Sequence, residues 1–339
     1  MHFTETILDW YRNYGRDLPW RRTRDPYAIW LSEIILQQTR IAQGRAYWER
    51  FMDRFPDVQS LAAASEDEVL RLWEGLGYYS RARNLHAAAK QVAQAGAFPD
   101  SLDGIRALKG VGDYTAAAIA SIAYGIPAAV VDGNVYRVLA RHFGIVTPVG
   151  TTAAKKEFGA LAQSLLPEED PGAFNQGMMD FGAIQCTPLS PACLTCPLSE
   201  SCEALRSGRV AELPVRKEAP AVRERYLSYI YLRCAGRTAI RRREAGDIWQ
   251  GLWEPFLMER SDPGLALSLP DWTRGGTLRT VCEDVRHQLT HQTLHASLLL
   301  FESDTAPALP EAFRWIPEAE LDRYAKPRLL EILFSRLQS

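Results

Sequence analysis

No run of this chain approaches the about 18 apolar residues that a membrane span needs, and its first residues, MHFTETILDWYRNYGR, lack the basic start and apolar core of a signal peptide. A cytoplasmic location is therefore expected. Neither sign of charge is in excess: 39 Lys and Arg against 41 Asp and Glu leave a net charge of -2. That balance argues against a protein that coats a polyanion. It does not argue against a local basic surface, because affinity depends on where charge sits. Cysteine is scarce, six in 339 residues, which excludes a disulfide-dense scaffold. With 47% hydrophobic and 24% charged residues the chain is not a disordered one, and its length suggests two domains.

What is present is most informative in residues 108–138, LKGVGDYTAAAIASIAYGIPAAVVDGNVYRV. Gly110 and Gly112 flank Val111 where a helical pattern breaks, and glycine there permits positive φ and close approach of backbone N–H groups to a phosphate. Residues 114–124 are alanine-rich and predict a tightly packed helix. Asp132 follows the apolar run 128–131 and precedes Val135, Val138 and Leu139 at helical spacing, which puts it at a helix start. Two readings stay open at this point. One is an ordinary turn and a helix cap; the other is a hairpin that holds a nucleic-acid backbone and presents a carboxylate to it.

A second segment, residues 26–39, PYAIWLSEIILQQT, is read as a helix with Leu31, Ile34, Ile35 and Ala42 on one face and Glu33 and Gln37 one turn apart on another. A lone glutamate is most often a solvated charge. Trp20, Tyr27 and Trp30 are near in sequence, however, and burial among them would raise the pKa of Glu33 and keep a proton available.

Cys186, Cys193, Cys196 and Cys202 fall within 17 residues, with Cys234 and Cys282 far away. Four thiols so close in a reducing compartment read as metal ligands. Their spacing of six, two and five intervening residues is not the paired CxxC knuckles of a zinc ribbon. A compact loop with Pro191 and Pro197 beside its ligands suits a [4Fe–4S] cube; zinc and free thiols are the other readings. Cys234 and Cys282, in strand-like apolar segments, read as small buried hydrophobes.

Hairpin, Asp132 and cysteine loop together resemble the endonuclease III superfamily of helix–hairpin–helix DNA glycosylases, over roughly the first two thirds of the chain. Members of that superfamily that also cut the strand carry a lysine two residues after the second hairpin glycine, whose amine forms a Schiff base with the sugar. Here the position is Tyr114, and with VDGNVYRV around Asp132 it resembles the adenine DNA glycosylase (MutY) family. The resemblance implies base removal without efficient strand scission. Glu33 would be the general acid that protonates adenine at N7 and then helps activate water. Asp132 would stay ionised and stabilise or transiently trap the sugar cation, with Tyr114 and Asn134 holding the site in register. Trp20, Arg21 and Gln176, the last in FNQGMMDFGA, match positions that line the adenine pocket. Gln38 and Tyr78, with Leu36 adjacent, match positions that wedge the duplex while the base is flipped out; taken singly, Leu36 and Tyr78 read as packing and Gln38 as solvated. The cluster implied on the four cysteines is a structural staple, here with little basic charge nearby beyond Arg206 and Arg209.

Residues 205–221, polar with Gly208, Pro214 and Pro220, read as a linker. Beyond it, residues 226–234, 238–242, 295–302 and 313–316 predict strands and 327–337 a closing helix. This α+β order around IWQGLWEPF resembles the MutT-like (Nudix) domain of the same family. The REXXEE run that binds magnesium in hydrolytic Nudix domains is lacking, so recognition without hydrolysis is expected. Where relatives carry a Phe-Ser-His hairpin that reads 8-oxoguanine, this chain has Leu289, Thr290 and His291, which keep an apolar wedge and a hydroxyl but lose aromatic stacking. His287, His291 and His295 would converge on a metal only on a helix, whereas Thr290 and Thr293 favour strands.

The expected architecture is multidomain: an all-α helix–hairpin–helix glycosylase region over residues 1–204 with a [4Fe–4S] loop at 186–202, a linker over 205–224, and an α+β MutT-like domain over 225–339. The expected function is that of a monofunctional DNA glycosylase in base excision repair. Its partner would be double-stranded DNA carrying A:8-oxoguanine or A:G mispairs, with Gly110, Val111 and Gly112 at the backbone, no membrane, and a replication clamp as a further partner. It would act as a monomer in a bacterial cytoplasm, associated with the nucleoid through DNA. The rival readings are an endonuclease III-like bifunctional glycosylase and a non-catalytic iron–sulfur DNA-binding protein.

Overall fold

A computed structural model describes residues 2–217, 222–262 and 267–337. They form two compact units, Met1–Ala63 with Ala87–Glu218, and Ala64–His86 with Ala219–Ser339. Among the described residues no helix is long and apolar enough to cross a membrane.

Among the described residues twelve α-helices precede the strands: α1 His2–Tyr14, α2 Pro26–Leu36, α3 Ile41–Arg54, α4 Val58–Ala63, α5 Glu66–Leu72, α6 Ser80–Ala95, α7 Leu102–Arg106, α8 Asp113–Tyr124, α9 Gly133–Phe143, α10 Thr152–Leu165, α11 Pro171–Asp180 and α12 Glu203–Arg206. Helix α2 starts on Pro26, with the Asp25 carboxylate capping Tyr27 N at 3.0 Å. It ends at Leu36, because Gln38 takes φ +58°, so Ala42 lies on α3 and does not extend the α2 face as expected. Alanine-rich α8 is buried from Thr115 to Ser121 and closes on Gly125 in the left-handed region, as α9 closes on Gly144. Ile7, Val138, Leu139, Phe158, Phe174 and Phe181 belong to the core of this unit. At Gly177 on α11 a Cβ would come within 3.1 Å of Tyr11 Cβ and 3.2 Å of Ile7 Cγ2, so glycine is what lets α1 and α11 approach so closely. Within the stretch read as a linker, Leu213 is buried and Val210 and Val215 pack on the same core; residues 218–221 of it lie outside the described residues.

The second unit is built on a seven-stranded sheet: β1 Arg223–Cys234, β2 Arg237–Arg242, β3 Trp253–Glu254, β4 Phe256–Arg260, β5 Thr277–Gln288, β6 Gln292–Ser303 and β7 Phe313–Pro317. The order is β3-β2-β1-β6-β5, with β4 also on β1 and β7 on β2. β1 and β6 run parallel, Ile230 opposite Leu299, and β5 and β6 form a hairpin. Helix α13, Arg328–Phe334, buries Leu329, Leu330 and Leu333 in the cluster that holds Leu227, Tyr229 and Leu298. The four expected strands are present. β3, β4 and β5 were not expected: β5 is an edge strand whose Arg279, Glu283, Asp284 and Arg286 break the apolar alternation, and it carries register shifts around Cys282. His287 and His295 stand on β5 and β6 and His291 in the turn between them, which removes the helical metal reading.

Candidate active site

A cavity of about 210 Å³ in the first unit is lined by Glu33, Tyr114, Asp132 and Asn134, and also by Trp20, Arg21, Leu36 and Gln176. Residues separated by more than 140 positions in sequence thus meet at one wall. Glu33 opens onto the cavity from α2, where Tyr27 to Ser32 and Ile34 and Ile35 are all buried. Loss of water pushes its pKa up to about 7; the charge of Asp132 adds to the rise, while the Tyr114 hydroxyl and the Arg21 guanidinium oppose it. The Met179 sulfur, 3.3 Å from the Tyr114 hydroxyl, is a weak acceptor that competes with Glu33 for its single hydrogen.

Asp132 is a helix cap and a cavity residue at once. Its carboxylate accepts from Asn134 N at 2.9 Å, Val135 N at 2.8 Å and Asn134 Nδ2 at 2.8 Å. Burial raises its pKa, and these donors, with Arg137, oppose the rise. The cap reading is realised, and the capped carboxylate also faces the cavity: the bonds at the α9 N-terminus favour its charged form.

Among the described residues no strand pairs with the extended segment that delivers Asp132. Asn175 of α11 accepts from Val130 N at 3.0 Å and donates to Ala128 O at 2.8 Å and to Ser121 Oγ at 2.9 Å. Gln163 of α10 accepts from Ala129 N at 3.0 Å and donates to Pro127 O at 3.0 Å. Two side-chain amides thereby satisfy backbone groups that a sheet would otherwise pair. On the far side of Asn134, Arg137 donates to Asn134 Oδ1 at 2.8 Å, to Gly182 O at 2.6 Å and to Cys186 O at 2.7 Å.

The cavity's other polar wall rests on Asp180, fully buried at 0% exposure. It accepts from Arg16 N and Nε, both at 2.8 Å, and from both terminal nitrogens of Arg21, at 2.6 and 2.9 Å. These cations hold its pKa below the ordinary value against the effect of burial. Trp20 is buried edge-on to Trp48, ring centroids 5.7 Å apart. Arg16, Asp180, Arg137 and Asn175 were not singled out from the sequence. No local pattern marks partners more than 40 positions apart; the only legible hint was that Gln176 and Asp180 share a helical face.

Gly110 stands at φ +78° and Gly112 in extended backbone, both exposed, with Val111 buried between them. The hairpin therefore offers open backbone at the start of α8. Among the wedge candidates, Gln38 and Tyr78 are exposed and both carry positive φ, at +58° and +48°, a strain that non-glycine residues adopt rarely. Leu36 lines the base cavity instead of projecting outward. In the second unit Leu289, Thr290 and His291 form the β5–β6 turn, closed by Leu289 N on Gln292 O at 2.8 Å, and the Thr290 hydroxyl contacts that of Tyr78.

Cys186, Cys193, Cys196 and Cys202 face one small cavity with Arg141. Arg141 donates to Cys186 Sγ at 3.4 Å, Thr187 O at 2.7 Å and Pro188 O at 2.9 Å, and its own carbonyl accepts from Cys202 Sγ at 3.5 Å. Burial and the three neighbouring thiols push Cys196 up to about 11. Among the described residues no three His, Cys, Asp or Glu side chains converge as a single ion requires.

Residues 31–164 match the HhH-GPD superfamily of base excision DNA repair proteins, and residues 228–336 a NUDIX domain. The adenine DNA glycosylase of Buchnera aphidicola subsp. Schizaphis graminum is 34% identical over 301 residues, covering 86% of this chain and 85% of the relative. This chain belongs to the adenine DNA glycosylase family. The human adenine DNA glycosylase is 44% identical over 213 residues, covering 60% of this chain and 39% of the human one. Among solved structures, a thermostable thymine-DNA glycosylase superposes with a TM-score of 0.57 at 34% identity, over 60% of this chain and 95% of its own. An endonuclease III–DNA complex shares the fold, TM-score 0.53 at 22% identity, over 61% of this chain and 95% of its own. The family's helical base-excision region and its strand-rich Nudix-like region are thus both present, and the chain is a DNA glycosylase.

Proposed function

We propose that this adenine DNA glycosylase hydrolyses the N-glycosidic bond of adenine mispaired with 8-oxoguanine or guanine in double-stranded DNA, without an amine-derived covalent step. The observation that carries the reading is the meeting of Glu33 and Asp132 in one base-sized cavity, with a phenol at position 114. Glu33, half protonated near pH 7, donates to adenine N7 so that the base leaves neutral. Asp132, kept anionic by its cap donors, stabilises the cationic sugar until water adds. Asn134 fixes the Asp132 carboxylate, and Tyr114 fixes Glu33. Trp20, Arg21, Leu36 and Gln176 enclose the flipped base, while the hairpin Gly110 to Gly112, whose Val111 N is already spent on Leu108 O at 3.1 Å, holds a backbone phosphate at its exposed glycines. Gln38 and Tyr78 wedge the duplex, and the turn Leu289-Thr290-His291, exposed at Thr290 and His291 while Leu289 packs on the core of its unit, reads the base opposite adenine.

The four cysteines fit a [4Fe–4S] cluster. They surround one cavity, and burial together with their mutual charge disfavours the free Cys196 thiolate in a way that a cationic core would reverse. When bound, the cluster would supply a cross-link within the loop, and no step of base removal passes through it. Arg141 and Arg137 tie that loop to α9 and to Asn134.

The test is single-turnover adenine release from A:8-oxoguanine and A:G duplexes. Glu33→Gln is expected to lose release by at least about 100-fold, and borohydride is expected to trap little covalent adduct with the wild type. Equal rates for wild type and Glu33→Gln would overturn the acid assignment. Thr290→Ala and His291→Ala are expected to narrow the preference for 8-oxoguanine; an unchanged preference in both removes the recognition role of the turn.

A further inference from the structure

Tyr11 of α1 does not line the base cavity, yet its hydroxyl donates to the Oε1 of Gln176, which does. Gln176 is 8% exposed, and among the described residues this is the one hydrogen bond its side chain makes. A phenol has a single hydrogen to give, and a primary amide has one acceptor atom and two N–H donors. With the Tyr11 hydrogen assigned to Oε1, the Nε2 hydrogens are the polar atoms left for the cavity. Two further features hold the phenol still. The Arg21 guanidinium, itself fastened to Asp180, lies 5.6 Å over the Tyr11 ring. Gly177, next to Gln176, admits α1 so closely that a methyl there would lie 3.1 Å from Tyr11 Cβ and press the ring aside by a few tenths of an ångström.

We propose that Tyr11 is a positioning residue for base specificity: it locks the Gln176 amide so that Nε2 faces the cavity and donates to an unsubstituted ring nitrogen of adenine, N1 or N3. Glu33 already serves N7, so the amide reads a second edge of the same base. A site built to donate such a bond rejects a base that lacks the acceptor, because the buried donor is then left unpaired. The inference rests on adenine being the base removed.

Single-turnover excision of adenine, 1-deazaadenine and 3-deazaadenine opposite 8-oxoguanine tests it, in wild type, Tyr11→Phe, Gln176→Met and the double variant. The readout is the adenine-to-analogue rate ratio, in which the intrinsic lability of each nucleoside cancels between variants. For one analogue that ratio is expected to fall about 3- to 10-fold in Tyr11→Phe and equally in Gln176→Met, with no further fall in the double variant. Gly177→Ala, which displaces Tyr11 without altering its hydroxyl, is expected to give the same fall. Ratios unchanged in Tyr11→Phe, with all three rates lowered by one common factor, overturn the proposal and leave adenine excision intact. Failure of the wild type to release adenine would instead overturn the underlying reading.

Discussion

Glu33 owes its proton to the helix around it. A carboxyl on a solvated face would titrate near 4.5, whereas removal from water on α2 lifts this one to about 7. Two outcomes follow at this scale. Base release under single-turnover conditions is expected to fall tenfold per unit above about pH 7, as the acid form of Glu33 is lost, and to fall again at acid pH as Asp132 takes up a proton; a profile still flat at pH 9 would exclude Glu33 as the proton donor. The stability consequence has the opposite benefit. The native state binds this proton more tightly than the unfolded chain, so the group's penalty grows as pH rises from 4.5 to about 7 and is constant beyond. Glu33→Gln is therefore expected to be more stable than wild type at pH 8, by about 1–3 kcal/mol, and level with it at pH 4. Denaturant melts at the two pH values check this. The tryptophans and tyrosine beside Glu33 in sequence made its burial legible, while the opposing contributions of Arg21 and Tyr114 required distances that no spacing carries.

Among the helices and loops, the controlling features are close approaches of backbone. At Gly182 a Cβ would lie 2.7 Å from Asn134 Cβ and 2.9 Å from Asn134 O, so the turn after α11 presses directly on the first turn of α9. Gly182→Ala is expected to cost about 1–3 kcal/mol of stability. It is also expected to lower adenine release by more than its unfolded fraction explains, because Asn134 and Asp132 must move together. Asn175→Leu belongs here too. It leaves Val130 N and Ala128 O unpaired in a buried segment, at about 2–4 kcal/mol for the two groups. Thermal melts and single-turnover rates separate the two effects. The helices around Asp132 were readable from alanine content, glycine stops and apolar spacing. The Asn175 and Gln163 clamp was not, since a side-chain amide that replaces a strand leaves no periodic mark. Strand β5 escaped for a related reason: its exposed edge tolerates charge, and period-two alternation is lost.

At the scale of the molecule, the net charge of -2 offers no sign of a polyanion substrate. DNA affinity must come from local features such as the open hairpin backbone at Gly110 and Gly112. The cysteine loop is the other whole-molecule determinant, because Arg141 and Arg137 carry its position into α9. Cys196→Ser is expected to abolish bound iron, measured by iron content and visible absorbance, and to lower the melting temperature of the chain. Protein that retained four irons would overturn the cluster assignment to these cysteines.

The sequence by itself determined the elements whose signal is local. These are the glycine hairpin, the cap at Asp132, the four-cysteine spacing and the apolar surroundings of Glu33, because glycine φ preference, capping and thiol spacing act over a few residues. Only the tertiary structure decided that Asp180 organises Arg16 and Arg21, that Asn175 and Gln163 stand in for a strand, and that Tyr11 reaches Gln176. Each of those bonds spans more than 30 residues. The partner of a buried polar group is chosen by which helices pack together, and the pattern of any one helix says only that a partner must exist.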